Sequence, residues 1–230
     1  MAFNIKTFVI NLDRRQDRWE KMEKKIKEIK EFKSIERFSA IDGKQLKWND
    51  ILKKQFPLKV STRREIYESH HRKLGVIGCA LSHYNLWKKC LKDKDNDTWL
   101  ILEDDIVFSD NFNEKWKELY GRIENKKWDI LYLGHYDTHV LYNDFEIFDG
   151  IVKLGGDIKR IYGAGLYSYC VRRSGLELLV KEFEKRGMRR PVDWFITDLF
   201  SELTVYRTNP LLVSAPVYHP VNNPDTDVQV

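Results

Sequence analysis

Three carboxylates stand side by side at Glu103, Asp104 and Asp105, directly after the apolar run Trp99-Leu100-Ile101-Leu102. Such a run reads as a short strand buried on both faces of a sheet. The acidic triplet then falls at a strand's carboxyl end, where α/β proteins place their ligands. Two like charges about 5 Å apart repel by roughly 3 kcal/mol at an effective dielectric of about 20. A divalent cation turns that repulsion into attraction. Hard oxygen donors suit Mn2+ or Mg2+, ions that keep some of their waters and bridge to substrate phosphates. In an extended segment Glu103 and Asp105 point the same way, the spacing of an acidic-x-acidic clamp on a nucleoside diphosphate. The competing reading is a solvated turn, which the preceding Leu-Ile-Leu disfavours.

Other groups fit an anionic ligand. Arg14, Arg15 and Arg18 fall in the first turns of a predicted helix, where the dipole disfavours positive charge but favours a bound anion. Arginine grips phosphate with two parallel hydrogen bonds, so Arg14 and Arg18 are candidates for the diphosphate; pairing with Asp13 and Asp17 is the alternative. His83 follows Ser82 on a helix beginning near Gly75, and Gly78 lets another group approach that helix closely. A lone histidine there is equally at home as a structural residue. Asp193 precedes two aromatics, Trp194 and Phe195, that could stack on a sugar ring. It is a candidate general base, with helix capping as its plain alternative; Asp198 is the second candidate. His219, after the last strand, could reach a metal, whereas His70 and His71 read as solvated.

The elements that must position these groups alternate in type. Thr7–Ile10 reads as a buried strand, and Asp13 as the N-cap of a helix whose Trp19, Met22, Ile26 and Ile29 recur at steps of three and four. A strand over 35–41 ends at the turn Asp42-Gly43. Residues 44–74 read as a partly helical insertion, and 75–91 as a helix. Phe112, Trp116, Leu119 and Ile123 mark another helix, and Ile130–Leu133 a strand closed by Gly134. Between 140 and 171 aromatic and β-branched residues alternate with polar ones among glycines, which predicts antiparallel strands. Helices over 174–186 and after Pro191 follow, then one short strand and a proline-rich tail. The expected fold is an α/β sandwich with a mixed central sheet flanked by helices. We read it as one domain over 1–230: a nucleotide-binding half to about 135, an acceptor-side half over about 136–220, and a tail over 221–230.

Composition narrows the classes. With 230 residues, 42% hydrophobic and 33% charged, the chain is long enough to bury a real core and reads as globular and soluble. No apolar run approaches the ~20 residues of a membrane span, and the N-terminus lacks a signal peptide's pattern, so a cytoplasmic location is expected. Cys79, Cys90 and Cys170 contain no Cys-x-x-Cys pair and read as reduced thiols. A net charge of +5 suits an anionic ligand or peripheral contact with an acidic membrane surface, and equally a solvated lysine-rich face. Basic residues interleaved with acids, as in Lys21-Met22-Glu23-Lys24-Lys25, argue against nucleic acid.

Six segments in order resemble glycosyltransferase family 25: Val9-Ile10-Asn11-Leu12-Asp13-Arg14-Arg15 with Asp17-Arg18, Arg37 to Gly43, Gly75 to His83, Leu100 to Asp105, Asp129 to Gly134, and Pro191-Val192-Asp193. The resemblance implies a GT-A type domain and a metal-dependent, inverting hexosyltransferase. It would move galactose or glucose from a UDP-sugar to a glycan, glycolipid or glycoprotein hydroxyl. It gives the metal role to Glu103 and Asp105 with Asp104 beside them. It places Asn11, Leu12, Arg14, Ala40, Asp42 and Gly43 along the nucleotide, and Ser82-His83 near the uridine or diphosphate. A sugar nucleotidyltransferase is the rival enzyme, but that class carries a glycine-rich phosphate loop after its first strand, where this chain has Asn11-Leu12-Asp13-Arg14-Arg15. A nucleotide-sugar or glycan-binding module without turnover is the non-enzymatic alternative.

Overall fold

The computed structural model describes residues 5–29, 32–47, 49, 55–56, 70–137, 147–148, 150–154, 163–188 and 191–215. In chain order the elements are β1 (Ile5–Asn11), α1 (Gln16–Lys27), β2 (Phe32–Ser39), a 3-10 turn (Gly43–Gln45), α2 (His70–Lys92), β3 (Thr98–Glu103), β4 (Val107–Phe108), α3 (Phe112–Ile123), β5 (Ile130–Asp137), β6 (Ile147–Phe148), β7 (Ile151–Leu154), β8 (Gly163–Arg172), α4 (Arg173–Arg186), α5 (Val192–Thr197), β9 (Val205–Thr208) and β10 (Val213–Ser214). Eight strands form one sheet in the order β2-β1-β3-β8-β5-β9-β7-β6, and β10 pairs with β4 beside it. β1 runs parallel to β2 and β3, whereas β8 is antiparallel to both β3 and β5. The expected mixed sheet is the one observed.

β3 shows why an unbroken apolar run was needed. Its side chains alternate between two cores, as a pleated strand requires. Trp99 and Ile101 enter one core with Trp87 of α2, Leu176 of α4 and Phe195 of α5. Leu100 and Leu102 enter the other with Met22 and Ile26 of α1 and Trp116, Leu119 and Ile123 of α3. Helices therefore cover both faces. Burying each such side chain contributes about 1.5–3 kcal/mol, so the strand bearing the acidic triplet is anchored from two sides.

Several boundaries differ from expectation. Asp13 is not a cap: α1 starts after Arg15 with no side-chain cap, and Asp13 Oδ2 accepts instead from Ser39 Oγ at 2.6 Å. β2 stops at Ser39, because Asp42 turns the chain by accepting the Lys44 N–H at 2.9 Å. α2 begins at His70, earlier than the sequence suggested; most of 44–69 lies outside the described residues. β5 runs on past Gly134 to Asp137, with irregular register against β8 there. β3 ends at Glu103, and Asp104 and Asp105 form a turn, so the extended spacing assumed for the triplet does not hold.

Candidate active site

The ends of β1 and β3 and the beginning of the antiparallel β8 meet at one edge of the sheet. A cleft of about 490 Å³ opens there, with the 3-10 turn, α2 and α5 as its other walls. Leu12, Arg18, Ala40, Asp42, Gly43, Ser82, His83, Glu103, Asp104, Asp105 and Asp193 all line it. The structure thus brings together residues drawn from both halves of the chain.

The three carboxylates have different surroundings. Asp104 is the most enclosed: Asn11 Nδ2 donates to it at 2.5 Å and Arg18 Nη1 at 3.0 Å. Burial pushes its carboxyl above the ordinary value, against the pull of Asn11 and Arg18. Asp105 lies 3.5 Å from the same guanidinium, and Glu103 is about a third exposed, at 32%. The three carboxylates thus gather on one wall of the cleft, with the Arg18 guanidinium shared between Asp104 and Asp105. Arg18, expected to pair with a diphosphate or with Asp13 and Asp17, lines the cleft and lies against Asp104 and Asp105, while the Asp17 carboxylate pairs with Arg15. Asn11 does not line the cleft. Its amide serves Asp104 and the Arg15 carbonyl, and its oxygen accepts from Arg37 Nε at 2.8 Å.

The opposite wall is held by close backbone contact. A Cβ on Gly78 would sit 2.6 Å from the Ile41 carbonyl oxygen, and one on Gly43 would sit 2.3 Å from that of Leu74. Only glycines let α2 and the 3-10 turn meet in this way. Ser82 completes the seam: its Oγ accepts the Ile41 N–H at 2.8 Å and donates to the Gly78 carbonyl at 2.7 Å. Gly78 is therefore a docking residue behind the cleft, and the Ser82 hydroxyl is engaged by backbone. Arg14 also stays off the wall, with Nε donating to Asp42 Oδ2 at 2.8 Å. Burial works to raise the Asp42 carboxyl, but the Lys44 N–H and Arg14 outweigh it and hold it below the ordinary value.

His83 is 1% exposed, with Nδ1 2.9 Å from the Tyr169 hydroxyl and Nε2 3.4 Å from Glu103 Oε1. Cys79, one turn earlier on α2, joins them; one donor atom from each of Cys79, His83 and Glu103 lies within 4.8 Å of the others.

Asp193 stands in the first turn of α5, after the N-cap residue Pro191, so it is not the N-cap itself although its carboxylate serves a first-turn N–H. Its carboxylate accepts the Gly165 N–H at 2.9 Å and the Trp194 N–H at 2.9 Å. Gly165 has φ +95°, in the left-handed region that favours glycine, and so turns its N–H where Asp193 can reach it. Burial pushes the Asp193 carboxyl above its ordinary value, the two N–H groups oppose this, and Glu103 adds to the push. Trp194 lines the cleft, but Phe195 is 3% exposed and packs in the core, so only one of the two aromatics faces a ligand. Asp198 is exposed at the far end of α5 and away from the cleft. His219 lies outside the described residues.

Sequence reasoning assigned no role here to Cys79 or Tyr167, both of which line the cleft. Cys79 had a signal: it stands four residues before His83, on one helical face. Tyr167 had none, because its place depends on the pairing of β8 with β3 and β5.

A mixed α/β sheet that gathers carboxylates in one cleft at its strand ends defines a ligand-handling class of α/β protein. Comparison narrows it: the model of glycosyltransferase family 25 (LPS biosynthesis protein) matches residues 4–196, and the chain belongs to that family. It is 28% identical over 204 residues to procollagen galactosyltransferase 2 of Homo sapiens, covering 88% of this chain and 31% of that protein. It is 32% identical over 232 residues to an Acanthamoeba polyphaga mimivirus protein named as a glycosyltransferase, covering 98% of this chain and 67% of that one. It is also 28% identical over 199 residues to the human inactive glycosyltransferase 25 family member 3, covering 86% and 32%. The chain spans about a third of the length of the human relatives. Among the described residues no helix is long and apolar enough to cross a membrane.

Proposed function

We propose that this domain transfers a hexose from a UDP-sugar to an acceptor hydroxyl with inversion, in a GT-A type arrangement that depends on Mn2+ or Mg2+. The carrying observation is the gathering of the Glu103, Asp104 and Asp105 carboxylates on one wall of the cleft, with the Arg18 guanidinium shared between two of them. The donors fit such an ion. Glu103 and Asp105 line the cleft with hard carboxylate oxygens, Asp105 sharing Arg18, while Asp104 is held more closely by Asn11 and Arg18. When bound, the cation supplies a Lewis acid that offsets charge on the departing diphosphate.

Leu12, Ala40, Asp42 and Gly43 form the wall proposed for the nucleotide. Asp193 is the proposed base. Its raised pKa makes its carboxylate a stronger base toward an acceptor hydroxyl. That oxygen bonds to carbon 1 of the sugar as the bond from carbon 1 to the phosphate oxygen breaks, and UDP leaves. Trp194 offers a face for a sugar ring. The names of the collagen relatives favour galactose as the sugar and a glycoprotein acceptor; the family description favours a glycolipid. Residues 44–74 and 136–165, largely outside the described residues, are proposed for the acceptor side.

Calorimetry with UDP and Mn2+, followed by transfer from UDP-galactose and UDP-glucose, tests the reading. Binding that requires Mn2+ and disappears in a Glu103→Ala/Asp105→Ala double variant is expected. Binding indifferent to both would refute it. Binding without turnover would favour a non-catalytic module, a reading kept open by the inactive human relative.

A further inference from the structure

Trp87, Tyr169, His83 and Glu103 form a chain of polar contacts from the core to the cleft. Trp87 Nε1 donates to the Tyr169 hydroxyl oxygen at 2.9 Å, and the same oxygen lies 2.9 Å from His83 Nδ1. The other ring nitrogen of His83 faces Glu103 Oε1 at 3.4 Å. Trp87 and Tyr169 are fully buried and His83 is 1% exposed, so water does not complete these bonds from outside.

The donor inventory fixes the direction. An indole N–H only donates, so the Tyr169 oxygen accepts from Trp87 and its own hydrogen needs an acceptor. His83 Nδ1 is the acceptor in reach. A ring that accepts at Nδ1 carries its hydrogen on Nε2 when neutral, and that hydrogen points toward Glu103. We infer that Tyr169 is a positioning residue: by donating to Nδ1 it fixes His83 as the Nε2–H tautomer, which makes His83 a hydrogen-bond donor to Glu103 and not a metal ligand.

The inference decides the role of the cluster of Cys79, His83 and Glu103. Sulfur, nitrogen and oxygen donors within 4.8 Å of one another would suit Zn2+ or Co2+. Ligation through Nε2 requires that nitrogen bare and Nδ1 protonated. The Tyr169 oxygen would then accept twice, and its own hydrogen would face no acceptor among the described residues in a buried site, an arrangement folded proteins avoid. The cluster therefore holds no ion of its own, and Glu103 keeps its place on the cleft wall. Only the value of Glu103 as a cation ligand rests on the proposed function; the tautomer does not.

Histidine-selective 15N NMR of the full chain, recorded where the imidazole is neutral and without nucleotide, reads the tautomer directly. Wild type is expected to show His83 protonated at Nε2 alone. Tyr169→Phe is expected to lose that single state and populate both tautomers, whereas Trp87→Phe, which keeps the hydroxyl donor, retains Nε2–H. A wild-type Nδ1–H signal, an unchanged Tyr169→Phe spectrum, or a switched tautomer in Trp87→Phe would each overturn the inference. Titration with Co2+ gives a second readout that survives if a variant fails to fold. No intense thiolate-to-cobalt absorption is expected from the wild type, and its appearance would make the cluster a metal site. Both readings need no donor sugar and no turnover, so they stand or fall apart from the transferase reading.

Discussion

Arg18 Nη1 of α1 lies 3.0 Å from Asp104 Oδ1 and 3.5 Å from Asp105 Oδ2, so one guanidinium braces two of the three carboxylates that follow β3. The Arg18 and Asp104 side chains are 10% and 9% exposed, which makes theirs a nearly buried ion pair. Removing one partner of such a pair strands the other charge and costs about 3–5 kcal/mol. Arg18→Met is accordingly expected to lower the urea midpoint strongly, and Arg18→Met/Asp104→Asn to recover part of the loss. A single variant as stable as wild type would show that water, not arginine, balances Asp104.

The seam between α2 and the 3-10 turn makes a second prediction. Gly78→Ala places a methyl 2.6 Å from the Ile41 carbonyl oxygen and 2.9 Å from the Gly43 nitrogen, both backbone atoms that cannot swing aside. Overpacking of this kind costs about 1–3 kcal/mol. Ser82→Ala removes the acceptor of the half-buried Ile41 N–H; a fully buried donor left unsatisfied costs about 1–3 kcal/mol, so a loss toward the lower end is expected. The two changes share one contact, so their effects should fall short of additivity. Unfolding curves of both single variants and the double variant check this. Nucleotide affinity should fall alongside, since Ile41, Asp42 and Gly43 line the cleft. Unaltered affinity in a measurably destabilised Gly78→Ala would separate the seam from the nucleotide wall.

The sequence made the framework readable where the signal was local. The unbroken run before Glu103 read as a strand covered on both faces, and the steps of three and four in α1 and α3 named their buried sides. Pairings across long separations were not readable. Arg18 and Asp104 stand 86 positions apart, and nothing near either one announces the other. Tyr169 owes its place to register, opposite Ile101 on one side and Tyr132 on the other. The triplet's geometry was misread because β3 stops at Glu103, so alternation ends where the chemistry begins. Asp198, the second candidate beside Asp193, falls at the other end of α5, and a six-residue helix is too short for periodicity to tell its two ends apart.

Arg14 offers a test at the cleft mouth. Its side chain is 35% exposed and pairs with Asp42, which is 12% exposed and on the wall. An ion pair this open is worth about 0–1 kcal/mol, so Arg14→Ala should leave the unfolding midpoint nearly unmoved. If Asp42 and Gly43 flank the nucleotide as proposed, UDP affinity should still weaken, because Asp42 loses its orientation. Calorimetry beside a thermal melt separates the two effects, and equal affinity would exclude the Asp42 loop from the nucleotide site.

Asp193 carries a pH dependence whose sign can be worked out. Burial raises its folded-state carboxyl pKa, against the Gly165 and Trp194 N–H groups, while the unfolded value is about 3.9. Between those two values the folded chain binds the proton more tightly than the unfolded chain. Stability from this group is complete below the unfolded pKa and is lost as pH rises through the folded one. Asp193→Asn has no such titration. The stability of the variant minus that of wild type should therefore increase as pH rises from about 4 toward neutrality, then level off. Asp104 is raised in the same direction but is present in both proteins, and comparing them cancels its share. Urea midpoints of the pair across pH measure the difference. The same substitution should lower turnover by about 10²–10⁴-fold if the carboxylate is the base, with UDP binding nearly intact. A constant stability difference across pH would mean the carboxyl is not perturbed by burial. Undiminished turnover would move the proton transfer to another group.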